Sequence, residues 1–135
     1  MTLKIKELLA KMLNSPFIVE EGTSGIWTYR KWSDGTAECW GKITKSGHNI
    51  NRQWGSWYVS ASGTANEFYA SYPSGLFVDV PTELAMLNGA FSALPLVAGT
   101  TAPSKNNTTH YVCARGTSVN NTTFTLSIHA IGKWK

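Results

Sequence analysis

The stretch GIWTYRKWSDGTAECWGKI, Gly25–Ile43, decides the fold. Two runs rich in β-formers flank the turn signal Ser33-Asp34-Gly35, so the segment reads as a β-hairpin. Closed tightly on Asp34-Gly35, it sets Lys31 opposite Glu38, Arg30 opposite Cys39 and Tyr29 opposite Trp40. One face then carries Trp27, Tyr29, Lys31, Glu38, Trp40 and Lys42. The other carries Ile26, Thr28, Arg30, Trp32, Ala37, Cys39, Gly41 and Ile43. Lys31–Glu38 is a favourable cross-strand pair and Tyr29–Trp40 an aromatic one, so this register has support beyond the turn. A bulged three-residue loop would move it by one. With its charges and rings partnered internally, the crowded stretch reads as a wall of the fold and not as a site.

Further strands follow the hairpin. SWYVSAS alternates Trp57 and Val59 against Tyr58 and Ser60, and LFVDV and HYVCARG read as short strands. TTFTLSIHAIGKW alternates most clearly, with Phe124, Leu126, Ile128 and Ala130 on one face and Thr125, Ser127 and His129 on the other. TKSGHNINRQWG, residues 44–55, reads as a loop, and TSVNN as a turn. Thr82–Ala93 fits either a helical turn or a strand. Short strands between frequent turn signals describe an antiparallel β-sandwich or barrel, and we expect a mainly β head over residues 16–135.

Upstream, TLKIKELLAKML has helical periodicity and ends at Asn14-Ser15-Pro16. A helix this short is marginal alone, so its apolar stripe needs a partner. It can pack on its own domain, or Ile5, Leu8, Leu9 and Met12 can form a coiled-coil seam with other copies. Residues 1–15 are therefore read as a short N-terminal α-helix, a stem or oligomerisation segment.

Composition narrows the chemistry. The chain has 135 residues, 42% hydrophobic and only 15% charged, which suits one globular domain with a polar, uncharged surface. The net charge of +4 is scattered without a basic block, so nucleic acid is not an expected partner. No run is long enough to span a bilayer as a helix. His48, His110 and His129 fall in no metal-ligand spacing, with His48 in a loop and the other two on strands that could be neighbours. Cys39 and Cys113 read as small buried hydrophobes. Glu20, Glu38, Asp79 and Glu83 form no pair by spacing, and no nucleophile motif occurs. No catalytic residue, metal or cofactor is expected. Aromatic residues are the unusual resource. Trp54, Trp57, Tyr58, Tyr69 and Tyr72 gather at loops and strand ends, where rings stack on the C–H faces of sugars while Asn, Ser and Thr bind hydroxyls. The competing reading places those rings in the core or at a subunit interface. A site is sought first in the loops at residues 47–72 and 104–109.

FIVEEGTSGIWTYRKWSDGTAECWGKI (Phe17–Ile43) and the ending HAIGKWK (His129–Lys135) resemble the C-terminal tip domain of tail-fibre and receptor-binding proteins from phages and prophages of Gram-positive, often gut, bacteria. LFVDVPTELAMLNGAFSALPLV is similar to the middle segment of that group, although VDVP stands where a plain FP is usual. The resemblance implies a homotrimeric β-sandwich, jelly-roll-like head on a coiled-coil or fibrous stem, joined to upstream tail-fibre segments in the virion. It also implies adsorption to bacterial surface polysaccharide or protein, and brings no catalytic residues. A purely structural trimerisation or capping domain, and a small glycan-degrading tip enzyme, are the alternatives.

Overall fold

The computed structural model describes residues 2–61, 66–89 and 95–135. These form a helix, α1 (Thr2–Asn14), and eight strands: β1 (Ile18–Ser24), β2 (Trp27–Trp32), β3 (Thr36–Trp54), β4 (Trp57–Ser60), β5 (Thr82–Asn88), β6 (Leu96–Gly99), β7 (Tyr111–Arg115) and β8 (Val119–Lys133). The chain is mainly β, as expected, and every strand pairing is antiparallel. The two layers of a sandwich are here halves of one connected, curled sheet. One half runs β1-β2-β3-β8-β5 and the other β3-β4-β7-β6, with the long strand β3 common to both.

The hairpin forms, but one residue out of the tight register. Lys31 lies opposite Ala37, Arg30 opposite Glu38, Tyr29 opposite Cys39 and Thr28 opposite Trp40. The turn holds three residues because the Asp34 carboxylate accepts the Thr36 N–H at 2.8 Å. Gly35, at φ +95°, then takes the left-handed position that closes such a loop. A one-residue slip turns the whole of β3 over relative to β2. Ala37 and Cys39 therefore face inward beside Trp27 and Tyr29, while Glu38 and Trp40 face outward beside Thr28 and Arg30. The Lys31–Glu38 and Tyr29–Trp40 pairs do not form. Lys31 Nζ meets Glu20 at 2.8 Å instead, and the Tyr29 hydroxyl donates to the same carboxylate at 3.2 Å.

The C-terminus clamps this turn. The Trp134 N–H donates to the Gly35 carbonyl at 2.9 Å, and its indole N–H to the Trp32 carbonyl at 2.8 Å. The two ends of the sequence that carry the tail-fibre resemblance are thus neighbours, joined along the β3–β8 ladder from Thr36–Lys133 inward.

Residues 44–54 belong to β3 and are not a loop. Gly47 (φ +65°) adds a residue to β3 and Asn121 (φ +53°) adds one to β8, on either side of the His48–Thr122 pair, the second from the end of their ladder. The paired bulges bend both strands without ending them, and the Asn121 N–H is held by Asn49 Oδ1 at 2.7 Å. Turn chemistry in the sequence therefore marked bulges here, not breaks. LFVDV, by contrast, is irregular: Leu76 and Phe77 are buried in the core, and the Val78 N–H donates to the Lys133 carbonyl. Thr82–Asn88 is strand, and positions 90–93 lie outside the described residues.

The core gathers Trp27, Ala37, Cys39, Ile50, Phe68, Tyr72, Leu76, Phe77, Cys113, Phe124, Leu126, Ile128 and Ala130 inside the curl. The inward face of β8 is the one its alternation predicts. Burial pushes the Cys39 thiol up to about 12, with Glu83 and Glu38 adding to the effect, and Cys113 up to about 11. Both are free thiols that pack as small hydrophobes. α1 keeps Ile5, Leu8, Leu9 and Met12 more than half exposed.

His48 is a core residue and not a loop one. Only 3% exposed, it bonds Ser60 Oγ through Nε2 at 2.9 Å and meets the rings of Phe68 and Phe124 edge-on. Burial first, then Lys45, lowers its pKa below the ordinary histidine value. The unfolded chain therefore takes up a proton as pH falls through about 6.5 while the fold resists it, so stability is full above that pH and lost below it. We expect the unfolding midpoint to fall from pH 7 to pH 5, by at most about 1.4 kcal/mol per pH unit from this residue. His48→Gln flattens that slope in denaturant titrations. An unchanged slope in the variant would contradict this role.

Candidate functional site

Two segments from the loops singled out in the sequence meet. Residues 68–72 run antiparallel to 106–111. The Phe68 N–H donates to the Tyr111 carbonyl (2.8 Å), Thr108 N–H to Ala70 (3.0 Å) and Tyr72 N–H to Asn106 (2.8 Å). Ser71 Oγ donates to Asn107 Oδ1 at 2.8 Å. Beneath this ribbon, β5 projects Glu83 inward. Its carboxylate accepts the hydroxyls of Tyr72 and Tyr111, the latter at 2.7 Å, and the Thr109 N–H at 3.1 and 3.2 Å. Burial first, and then Glu83, raises both phenols well above the ordinary tyrosine range, so they remain donors. A partly buried carboxylate with several donors is a rigid floor for whatever lies above it.

Above the floor, Tyr69 and His110 point outward and stack face to face, with centroids 4.2 Å apart and planes 7° from parallel. Glu67 holds His110 Nδ1 at 2.6 Å. The His110 backbone is pinned to β6's continuation, accepting from Thr100 N and Oγ1 and donating to Thr101 Oγ1. Tyr69 remains 43% exposed. This is a preorganised aromatic platform with an oriented imidazole, a carboxylate and hydroxyls around it.

The five aromatic candidates divide. Tyr72 is 5% exposed, a core residue and Glu83 ligand, and Tyr58 packs half-buried against the core. Both answer to the structural reading. Tyr69 forms the platform. Trp54 and Trp57 flank the two-residue turn Gly55-Ser56, opposite one another and 75% and 45% exposed. Sequence reasoning missed His110 and Glu67, because only the antiparallel register places them beside Tyr69.

A second outward surface was also hidden by the register. Across β2, β3, β8 and β5 the pairings line up Arg30, Glu38, Ile131 and Thr82 in one row, Thr28, Trp40, His129 and Leu84 in the next, and Lys42, Ser127 and Met86 in a third. It forms an open groove of about 690 Å³. His129 Nε2 contacts Glu38 at 3.0 Å, the Arg30 guanidinium lies 5.2 Å from the Trp40 ring, and Leu84 and Met86 are 65% and 67% exposed.

The chemistry of these groups is that of contact surfaces. His110 and His129 are not neighbours: the first engages Glu67 and the second Glu38 on different strands. Among the described residues no three metal-binding side chains converge. Glu20, Glu38 and Glu83 each hold separate partners: Lys31, His129 and the two tyrosines. His48 and Ser60 are a histidine–serine pair, but the Ser60 hydroxyl is buried and accepts the Cys113 N–H at 2.9 Å.

Among solved structures, an N-truncated R1-type pyocin tail fiber superposes on the chain with a TM-score of 0.53, over 94% of this chain and 94% of that one. The chain has the fold of that tail fiber. Sequence identity between the two is 11%. No protein-family profile matches the chain, and no curated protein does. No helix among the described residues is long and apolar enough to cross a membrane.

The Glu83 floor gives a direct test. Glu83→Ala leaves two hydroxyls and an N–H, all at least partly buried, without their acceptor, a loss on the order of 3 kcal/mol. Chemical denaturation should show that loss with an unchanged slope. A midpoint within about 0.5 kcal/mol of wild type would show that the floor does not carry the ribbon.

Proposed function

We propose that the chain is the head of a phage-type tail fibre, carried as a homotrimer, which adsorbs the particle to surface glycan of a bacterial host. The observation that carries this reading is the match of fold with a pyocin tail fiber across nearly the full length of both chains. The sequence resemblance at Phe17–Ile43 and His129–Lys135 favours a Gram-positive host and a virion location.

The trimer accounts for surfaces that a lone chain leaves wet. α1's stripe of Ile5, Leu8, Leu9 and Met12 is built for a coiled-coil seam. The chain leaves it through exposed Phe17 and Ile18, and Ile18 lies opposite Trp32 on β2. From there the outward rows lead to Trp40, Leu84 and Met86. Apolar residues at the centre of a face, ringed by Arg30, Lys42 and Glu38, have the anatomy of a protein–protein interface. Receptor contact is then left to the aromatic surface around Tyr69, without turnover. Three heads on one stem raise weak single contacts to useful avidity.

The purely structural cap is the second reading, favoured by how much exposed apolar surface a trimer alone would cover. One pair of measurements tests both. Light scattering of the full chain should give three times 14.8 kDa, and Leu8→Lys with Met12→Lys should lower it. Labelled protein should bind cells of its host and lose that binding after periodate oxidation of surface sugars but not after protease. A monomeric wild type contradicts the trimer. A trimer that binds no cells of a bacterium lysogenic for, or killed by, the parent particle contradicts adsorption and leaves the cap.

A further inference from the structure

The second half of the sheet has an outward face of its own. On β7, Tyr111 and Cys113 pack on the core, so His110, Val112 and Ala114 point the other way. The registers fix their neighbours. Ala114 pairs with Val59 of β4 on one side and Leu96 of β6 on the other, and Val112 pairs with Ala98. His110 stands between Tyr69 and Thr100. Trp57 lies two residues beyond Val59, opposite Trp54, and Arg52 pairs with Val59.

Read along β7, the face is therefore a series of rows. At one end stand Trp54 and Trp57, and next come Arg52, Val59, Ala114 and Leu96. Val112 and Ala98 follow, and at the far end are Tyr69, His110 and Thr100. Val59 is buried in this row. Leu96, Ala98 and Thr100 are exposed. Three steps of two residues separate the terminal rows, a span of about 20 Å.

We infer that this strip is a binding track for one extended polysaccharide chain, stacked at its ends on the Trp54–Trp57 and Tyr69–His110 rows and lying over the aliphatic residues between. The inference rests on the proposal that the head binds glycan, and it names the mode: an internal stretch of polymer, not a terminal sugar in a pocket. The order of residues favours this occupant over a protein. Protein interfaces put their aromatic and apolar anchors at the centre and small or polar residues at the rim. Here the aromatic rings stand at the two ends, and the aliphatic side chains of Ala98, Ala114, Val112, Val59 and the exposed Leu96 lie between them, so the separation of the rings sets a minimum length of ligand. The hydroxyls of Tyr69, Thr100 and Thr101 and the carboxylate of Glu67 border one end, and Arg52 the other, where it suits an acidic group on the polymer.

The test uses the full chain on an array printed with bacterial capsular and cell-wall polysaccharides and their size-fractionated fragments, from disaccharide upward. Binding should climb steeply once fragments can span about 20 Å and then level off. Trp57→Ala and Tyr69→Ala should each weaken binding to long fragments tenfold or more while leaving the weak binding of disaccharides to the other row in place. Ala98→Glu, which blocks the middle without touching either ring, should do the same for long fragments alone. Circular dichroism and scattering check that each variant keeps its fold and mass. Equal binding of disaccharides and long fragments, dependence on one row only, or tolerance of Ala98→Glu would overturn the track while leaving glycan binding intact. A drop in mass for the variants would show that a second copy of the chain covers the strip, and overturn it too. Binding to no polysaccharide on the array would overturn the track and the glycan reading together.

Discussion

Everything in this fold depends on which side of β3 faces inward, and three residues settle it. The Asp34 carboxylate holds the Thr36 N–H, Gly35 supplies the left-handed backbone, and Trp134 ties the turn to the end of the chain. Because β3 is shared by both halves of the sheet, its facing passes to β8, β5 and β4 through their registers. A two-residue turn would have put Trp40 and Glu38 inside and Ala37 and Cys39 outside, leaving a carboxylate in the core. The bulged turn avoids burying that charge. It also moves Trp40 to the groove where Leu84 and Met86 wait.

The same rule explains what could and could not be read in advance. β8 was legible because its inward residues are Phe, Leu, Ile and Ala in strict alternation, and nothing else competes. The helix was legible from its stripe. The register of the first hairpin was not, since Lys31–Glu38 and Tyr29–Trp40 are good pairs in the wrong register, and a single side-chain-to-backbone hydrogen bond decides against them. Residues 44–54 were misread because Gly47 and Asn49 look like a turn, whereas they build a bulge that bends a strand already held by β8. In LFVDV the apolar run is real but is used to fill the core from a loop.

The candidate site was half legible for a related reason. Composition picked out exposed rings, and two of the five chosen, Tyr58 and Tyr72, went inward because core volume has first claim on aromatics. Tyr69 kept its place, but its partners could not be seen. His110 and Glu67 come from positions 43 apart in the chain and meet only because residues 68–72 pair with 106–111. Glu83, which spacing in the sequence pairs with nothing, is the group that holds this ribbon from below. It lies beneath the outward rings of Tyr69 and His110 and not among them.

Taken together, the proposals assign the two outward faces different work: the β2–β3–β8–β5 face would meet neighbouring copies and the β3–β4–β7–β6 face the host. Hydrogen–deuterium exchange on the full chain, with and without polysaccharide from its host, measures that division directly. The account predicts that residues 38–42, 84–86 and 127–131 are protected in both states, while 96–100 and 110–114 gain protection only when the polysaccharide is added. Protection gained at the groove and none along β7 would contradict it.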